Sequence, residues 1–442
     1  MIEHASPRQS PLKRFITAIA RTEPPAVVVP DTHGLDEIAV MLHEIGMALL
    51  EVNQPTQLVV SRLQEIAPRY TTAPVRVVAL PTVLLIQVGS DAHEIDMSTT
   101  LSLQLDKAGR IDDIAAQAAV GGITPTDAIA AVRQARATGP RFGPLTTMVG
   151  YVLATLGFAL VIHPTWVSLP PHALLGFVVA AILQLSRRYP ALTPVVPVIA
   201  AAVTAALANW FVADAAHESL LMVISPALVA MLPGVSLTVA AVELAGGQII
   251  AGASRGVYAV AQLALLAFGA IQALHLEPEG TDQVISGQLI PGALFIAIPV
   301  MALGLYVYLS APRGSLVWLI AAIGVALVGR TVAETFLPSS HAGFVGALLI
   351  VPFAMLAARI KTAPPAMVML LATFFALVPG ALSLTSVADA AEGHTGITGI
   401  AVAGSAVLSL ALGTMVGWSI VQAVQGAARR GTVTDRQLAV SR

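Results

Sequence analysis

The chain has 442 residues, of which 56% are hydrophobic and 11% charged, with a mean hydropathy of +0.81 and a formal net charge of −2. Soluble domains carry about 25% charged residues, so this composition excludes a fully soluble protein and indicates one largely embedded in a membrane. Cysteine is absent, which excludes disulfides and thiolate chemistry.

The N-terminal region mixes charged and apolar residues as a soluble domain does. We expect residues 1–30 to be flexible and to lack a signal peptide, because the apolar run Phe15–Ala20 is too short for one. Residues 31–140 predict a small cytoplasmic α+β domain. Its predicted elements are helices over Leu35–Glu51 and from near Pro55, two strands within 75–89, and a helix capped by Thr124 or Thr126. In "DAHEID", strand alternation would turn the acidic and histidine side chains to both faces, so no metal site is expected there.

Ten apolar stretches of the length of a spanning helix follow. The predicted spans are residues 143–162, 171–186, 194–213, 220–242, 255–274, 290–309, 316–335, 342–360, 364–388 and 396–421. Basic residues in and beside the connecting loops fall on one side, if the N-terminal domain is cytoplasmic: Arg136, Arg141, Arg187, Arg188, Arg313, Arg359, Lys361, Arg429 and Arg430. The opposite loops contain no Lys or Arg. Both termini are therefore expected in the cytoplasm, with residues 422–442 as a cytoplasmic tail.

The spans form an internal repeat. Pro233 and Pro379 lie 146 positions apart, and a shift of that length places each of the first five spans within a few residues of one of the second five. The halves, 143–274 and 290–421, would have opposite orientations in the membrane because five is odd. Inverted-topology repeats are typical of secondary transporters, whose sites lie where helices are broken. Duplication without function, or chance spacing, is the alternative.

Each half has a Pro-Gly pair inside an apolar span, with serine and threonine hydroxyls after it. Proline and glycine interrupt a helix, and a bilayer tolerates the freed backbone groups only inside protein or beside a wet cavity. The half-helix after the break begins with free N–H groups suited to a carboxylate. The predicted substrate-binding residues are Pro233, Gly234, Ser236 and Thr238, and in the second half Pro379, Gly380, Ser383 and Thr385.

An acid follows each proline by ten residues, Glu243 in the first half and Asp389 in the second. Each lies about 15 Å beyond its proline, so in opposed halves the two acids would face opposite sides of the membrane. A carboxyl group in a low-dielectric site can carry a proton at neutral pH, which suits alternating proton access. We predict that both acids couple transport to protons. The alternative is a packing kink at each Pro-Gly, with each acid at a span end in headgroup water.

Three further charged residues lie in the spans. Arg330 and Glu334 are four residues apart on one helix face, which predicts a structural ion pair, with a substrate-binding or gating arginine as the alternative. Arg255 opens the fifth span and is most simply a cytoplasmic anchor; contact with the substrate or with Glu243 is the alternative.

Two other function classes remain as rivals. An intramembrane hydrolase or transferase could use Ser236 or Ser383, but no histidine lies inside a span near either serine. A membrane scaffold would leave the repeat unexplained. No metal-site spacing and no glycine-rich phosphate loop are present, which argues against an ATP-driven pump.

Three stretches, "GMALLEVNQPTQLVVSRLQEIA", "GGITPTDAIAAV" and "LPGVSLTVAAVELAGGQIIAGASRG", resemble the threonine/serine exporter family, and the likeness extends over about residues 30 to 425. The resemblance implies a cytoplasmic N-terminal domain, ten spans in the bacterial cytoplasmic membrane, and export of threonine and serine driven by the proton gradient. In some relatives the two halves are separate chains that are linked to dicarboxylate export. The implied motif positions are Pro233, Gly234, Glu243, Gly247 and Arg255, with Pro379, Gly380 and Asp389 as second-half partners. The family usually carries Asp where this chain has Glu243.

The sequence therefore predicts a mostly α-helical polytopic membrane protein with two inverted five-helix repeats and an α+β cytoplasmic domain. We expect a proton-coupled exporter of small hydroxy amino acids, with a dicarboxylate or other organic-acid exporter as the alternative. Its partners would be threonine or serine, protons and the lipid bilayer. No cofactor, metal or nucleic acid is expected, and a homo-oligomer stays open.

Overall fold

The computed structural model describes residues 25–97, 104–162, 165–211, 220–274, 290–377 and 396–440. The described part of the N-terminal region contains four α-helices and a three-stranded antiparallel sheet with strand order β1-β2-β3. These elements are α1 (Leu35–Glu51), α2 (Thr56–Ile66), β1 (Val75–Leu80), β2 (Val83–Val88), β3 (Asp91–Met97), α3 (Leu105–Ala119) and α4 (Pro125–Ala137).

The N-terminal region has an apolar core between helix α1 and the sheet. Apolar residues at helical spacing on α1, among them Ile38, Leu42 and Ile45, are fully buried. Helix α1 packs on β2, in which buried residues, beginning with Leu84, alternate with more exposed ones. Helix α4 begins after Thr124, whose side-chain oxygen accepts the Asp127 N–H at 3.2 Å, so the predicted cap is confirmed. Strand β3 contains the "DAHEID" segment, for which the sequence indicated strand alternation, whereas α3 was not predicted.

Eleven helices follow within the described residues. They are α5 (Pro144–Ile162), α6 (Leu169–Arg188), α7 (Val196–Phe211), α8 (Leu220–Leu228), α9 (Gly234–Ala245), α10 (Ile249–Leu274), α11 (Ala293–Tyr308), α12 (Leu316–Ala333), α13 (Ser339–Ala357), α14 (Ala366–Leu377) and α15 (Gly396–Val440). Seven helical segments in the described residues are long and apolar enough to cross a membrane, and α9, α11 and α14 are shorter apolar helices. The protein is therefore a multi-pass membrane protein.

Several helix bounds differ from the predicted spans. The fourth predicted span is two helices, α8 and α9, with a break between them. Helix α10 begins at Ile249, six residues before the predicted start at 255. It follows directly on the turn at Gly247, where φ is +80°. Helix α15 continues through the predicted tail as far as Val440.

We call helices α5–α10 the first set of membrane helices and helices α11–α15 the second set. Helix α5 of the first set packs closely against α11 of the second. A Cβ added at Gly157 of α5 would lie 2.6 Å from the Met301 Cα, and one at Gly304 of α11 would meet the Ala154 backbone. Both positions therefore need glycine, which lets the two backbones touch directly.

Helix α3 joins the N-terminal region to the membrane helices. The Leu105 N–H donates to the Leu309 carbonyl at 2.8 Å and the Asp106 N–H donates to the Ser310 carbonyl at 3.1 Å, just after α11. Beside these bonds, Ala108 and Ile111 are buried in one apolar cluster with residues of α11 and α14. The apolar core is therefore continuous from the N-terminal region into the second set of membrane helices.

Candidate functional site

The break that Pro233 and Gly234 predict is present. Helix α8 ends at Leu228 and α9 begins at Gly234, with Pro233 as a non-helical cap at φ −79° and ψ 40°. Because a proline ring clashes with the turn before it, α9 cannot continue backwards into α8.

Side chains from two other helices satisfy the carbonyl groups freed at this break. The Tyr151 hydroxyl of α5 donates to the Ala227 carbonyl at 2.7 Å, and the Gln262 amide of α10 donates to the Met231 carbonyl at 2.8 Å. Tyr151 is 1% exposed. The break is thus held inside protein, which is the condition under which an interrupted helix is stable at membrane depth.

Near the end of α9, Glu243 forms a buried ion pair with Arg255 of α10. Gly247, at φ +80°, lets the chain reverse, so that the start of α10 returns along α9. The Arg255 Nε then lies 3.2 Å from the Glu243 Oε2, with side chains 6% and 0% exposed. Neither of these two atoms has a hydrogen-bond partner among the described residues. Their attraction is therefore ionic, and Oε2 keeps its capacity to accept a hydrogen bond.

The turn between α1 and α2 closes over this ion pair. The Thr56 N–H donates to the Glu243 Oε1 at 2.9 Å, so the carboxylate lies at the N-terminus of α2, where a negative charge is favoured. The Arg255 Nη1 donates to the Asn53 Oδ1 at 2.9 Å, and its Nη2 to the Gln54 carbonyl at 3.5 Å. Asn53 has φ +63°, a conformation that asparagine tolerates better than most residues. The N-terminal region and two membrane helices therefore share one buried charge cluster.

The interpretation of Arg255 as a simple anchor is wrong. Because α10 begins at Ile249, Arg255 lies in the second turn of the helix and faces α9 instead of the helix end. The alternative, contact with Glu243, is what the structure contains.

A cavity of about 320 Å³ lies beside the ion pair. The N-terminal helix α2, the first-set helix α9 and the second-set helices α13, α14 and α15 form its wall. The apolar lining residues and Thr238 are buried or half-buried, whereas Gln57, Ser61, Ser419 and Gln422 are exposed. The lining residues are Pro55, Gln57, Leu58, Ser61, Thr238, Val239, Val242, Glu243, Gly246, Val351, Met367, Leu370, Leu371, Phe374, Thr414, Met415, Trp418, Ser419 and Gln422.

Two features of the cavity wall indicate a polar ligand group. Glu243 is the one charged residue among the described residues that line it. The Thr238 Oγ1 is buried and has no hydrogen-bond partner among the described residues. A small solute could therefore bind a carboxylate oxygen and a hydroxyl at the same wall.

The other predicted site residues are placed differently. Pro233, Gly234 and Ser236 belong to the break and the first turn of α9 but do not line the cavity. The second-half residues lie outside the described residues: Pro379, Gly380, Ser383, Thr385 and Asp389.

Arg330 and Glu334 form the predicted ion pair, with 3.0 Å between Nε and Oε1 and side chains 26% and 35% exposed. Arg330 also lines a small pocket with Leu377, the last described residue of α14, and so lies apart from the Glu243 cavity. Among the described residues, no group of His, Asp and Glu side chains could hold a metal ion.

Sequence reasoning missed the contribution of the N-terminal region to this site. Asn53 and Thr56 lie about two hundred residues from their partners, and only their place in the quoted motif "EVNQPTQ" hinted at a role. No spacing rule connects residues that far apart in the chain.

A family model for the threonine/serine exporter matches residues 41–277, more than half of the chain. The chain belongs to the threonine/serine exporter family. The match to the threonine/serine exporter model includes the turn from Asn53 to Thr56, Glu243 and Arg255, so the whole charge cluster lies inside it. It ends before α11, whereas the resemblance seen in the sequence extended to about residue 425. Comparisons with curated proteins and with solved structures gave no match.

Proposed function

We propose that this membrane transporter exports small hydroxy amino acids, threonine and serine, through the cavity beside Glu243. The observation that carries the proposal is the Glu243 carboxylate in the cavity wall, the one charged group among the described lining residues, whose counter-charge Arg255 does not line the cavity. A carboxylate attracts a substrate ammonium group and repels a substrate carboxylate.

The free acceptor and hydroxyl groups of the wall suit an amino acid. The Glu243 Oε2 and the Thr238 Oγ1 have no hydrogen-bond partners among the described residues, so both can accept a hydrogen bond from a substrate, and an ammonium group at Oε2 would share the carboxylate with Arg255. The volume is at the lower end of the roughly 300–1,000 Å³ range of ligand pockets, which favours a small solute.

The rival functions have less support. A dicarboxylate would bring two negative charges to a wall whose charged residue is Glu243, and Arg255 is already paired with that acid. A hydrolase that used Ser236 would have its nucleophile outside the cavity wall. We therefore keep amino-acid export as the function.

We also propose the ten-span inverted repeat, because helices at equivalent places in the two sets of five pack on equivalent neighbours. The third helix packs against the fifth in both sets, as α7 with α10 and as α13 with α15. The second packs against the fourth, as α6 with α8 and as α12 with α14. The proposed halves remain 143–274 and 290–421, with the domain at 31–140 below them in the cytoplasm.

Proton entry is the proposed energy source. Both contacts of Glu243, with Arg255 and with the Thr56 N–H, attract a negatively charged carboxylate. Protonation of Glu243 would therefore have to accompany a rearrangement of these contacts, which links a proton to a structural change. Asp389 would serve as the second proton site on the opposite side of the membrane.

Efflux from proteoliposomes tests this function. Labelled threonine, serine and succinate are loaded in turn, and efflux is measured with and without an imposed proton gradient. We expect efflux of both amino acids, faster with the gradient, and none of succinate. Succinate efflux without threonine efflux would reject amino-acid export. Equal rates of efflux with and without the proton gradient would reject proton coupling.

The topology predicts which introduced cysteines an impermeant thiol reagent reaches in whole cells. Because the chain has no cysteine, each variant has a clean background. Cysteines at Ser168 and Ser340, before α6 and within the first turn of α13, should react, whereas one at Thr362, between α13 and α14, should not. Thr362 is exposed. It is chosen in preference to Gly314, in the loop before α12, because a cysteine at the Gly314 φ of +80° would strain the backbone. Equal labelling at all three sites would contradict the ten-span topology.

The break at Pro233 predicts a selective loss of transport. In Pro233→Ala the new backbone N–H can join α9 to the preceding turn, which favours a continuous helix. The whole of α9 would then shift, and Thr238 and Glu243 would shift with it. We expect threonine efflux to fall about tenfold, with normal membrane insertion and an unchanged or higher melting temperature.

Pro299→Ala is the matched control, since Pro299 lies inside α11 and its replacement also restores a helix donor, away from the break. Its efflux should stay within about twofold of the parent. If both variants export normally, the break is only a packing feature.

A further inference from the structure

The N-terminal domain is attached to both sets of membrane helices. Helix α3 holds the second set through the bonds from Leu105 and Asp106 to the carbonyls after α11, and its apolar face belongs to the same core as α14. Gly109 lies against Pro312 and Val368, with 3.4 Å and 3.3 Å to the position of an added Cβ. We call this attachment the α3 anchor.

The attachment to the first set is of another kind. The turn Asn53–Thr56 contacts α9 and α10 through the Glu243 carboxylate and the Arg255 guanidinium, by three hydrogen bonds. Beside the turn, the Gln57 Oε1 lies 2.6 Å from the position of an added Cβ at Gly246. We call this attachment the 53–56 latch.

The cavity lies between the parts that these two attachments join. Its wall contains Glu243 of α9, residues of α2, and residues of α13, α14 and α15. Opening and closing such a site requires the two sets of helices to move against each other. A domain attached to both sets must then release one of them.

The nature of the contacts indicates which attachment is released. Separation at the α3 anchor would expose Leu105, Ala108 and Ile111, which are at most 1% exposed, to water. Separation at the 53–56 latch exposes hydrogen-bonding and charged groups, which water can satisfy.

We propose that the turn Asn53–Thr56 is a releasable latch, in which Asn53 and Thr56 position the Glu243–Arg255 pair and part from it in each transport cycle. The N-terminal domain stays on the second set of helices while it does so. This proposal rests on the proposed function only in that a transport cycle exists, whatever the substrate. Asn53 and Thr56 are positioning residues, because they act on the substrate through Glu243.

Cross-linking tests the proposal in the full-length chain, which has no native cysteine. One variant carries Gln57→Cys with Gly246→Cys across the latch, and a matched control carries Gly109→Cys with Pro312→Cys across the anchor. The efflux of each variant is measured before treatment, after cross-linking with a short bifunctional reagent that forms disulfide bonds with both cysteines, and after reduction of those bonds. Cross-linking the latch should reduce efflux about tenfold or more, reversibly, while cross-linking the anchor should change it less than about twofold. Efflux that survives a closed latch, or stops only when the anchor is closed, overturns the proposal.

A second measurement needs no substrate and keeps the test valid if the transported solute is another one. Thr56 is fully buried in the latch and Ala108 is 1% exposed in the anchor. Asn53→Gly removes the acceptor for Arg255 yet suits the positive φ at this position. With Asn53→Gly, a cysteine at Thr56 should react with a thiol reagent about tenfold faster than in the parent, and one at Ala108 at the same rate. Equal protection of both cysteines would show a static contact and reject the latch.

Discussion

Replacing Glu243 with glutamine is expected to reduce threonine efflux about a hundredfold or more, a loss of about 2.7 kcal/mol in transition-state stabilisation. The variant removes the charge that the cavity wall offers to a substrate ammonium group. It also leaves the Arg255 guanidinium, whose side chain is 6% exposed, without its counter-charge. Removing one partner of a buried ion pair costs about 3–5 kcal/mol, so the melting temperature should fall as well.

Two matched variants separate the transport effect from the stability effect. Glu243→Asp keeps the charge, so it should retain most of the efflux. Glu243→Gln with Arg255→Gln removes both charges, so it should regain much of the lost stability but none of the transport. Thermal unfolding in detergent and proteoliposome efflux measure the two effects. Normal export by the double variant would show that the ion pair is structural and that the substrate binds elsewhere.

The second large effect is expected at Asp389. Asp389→Asn keeps the shape and hydrogen-bonding capacity of the side chain but cannot titrate. If Asp389 carries the proton on the outer side, gradient-driven threonine export should fall at least about tenfold, which corresponds to about 1.4 kcal/mol. Exchange of internal for external threonine moves no net proton and should continue. Parallel efflux and exchange measurements in the same vesicles distinguish the two processes.

Glu334→Gln is the control for this prediction, because Glu334 is a partly exposed acid paired with Arg330, and such pairs contribute about 0–1 kcal/mol. It should change neither process by more than about twofold. Loss of exchange along with export in Asp389→Asn would show that this carboxylate holds the substrate instead of the proton. A full response of Asp389→Asn to the gradient would show that Asp389 is not the coupling site.

Local features of the fold were predictable because they depend on neighbouring residues. Twenty apolar residues in a row predict a spanning helix, and Pro233 with Gly234 predicts an interruption, since ring geometry and backbone freedom act within one turn. The strands on either side of Leu80-Pro81 and the cap at Thr124 were found for the same reason. Helix α3 was missed because its apolar face is completed by α11 and α14, far away in the chain.

The composition and pattern of the sequence by themselves determined that the protein is a multi-pass helical membrane protein and that Glu243 is an unusual acid beside a broken helix. Only the tertiary structure decided what surrounds that acid. Asn53 and Arg255 are 202 residues apart in the chain, and their contact exists because α10 folds back along α9 while α3 holds the N-terminal domain against the second set of helices. Burial and charge pairing in such a cluster are properties of the packed chain, since each group is exposed to water until the others are in place.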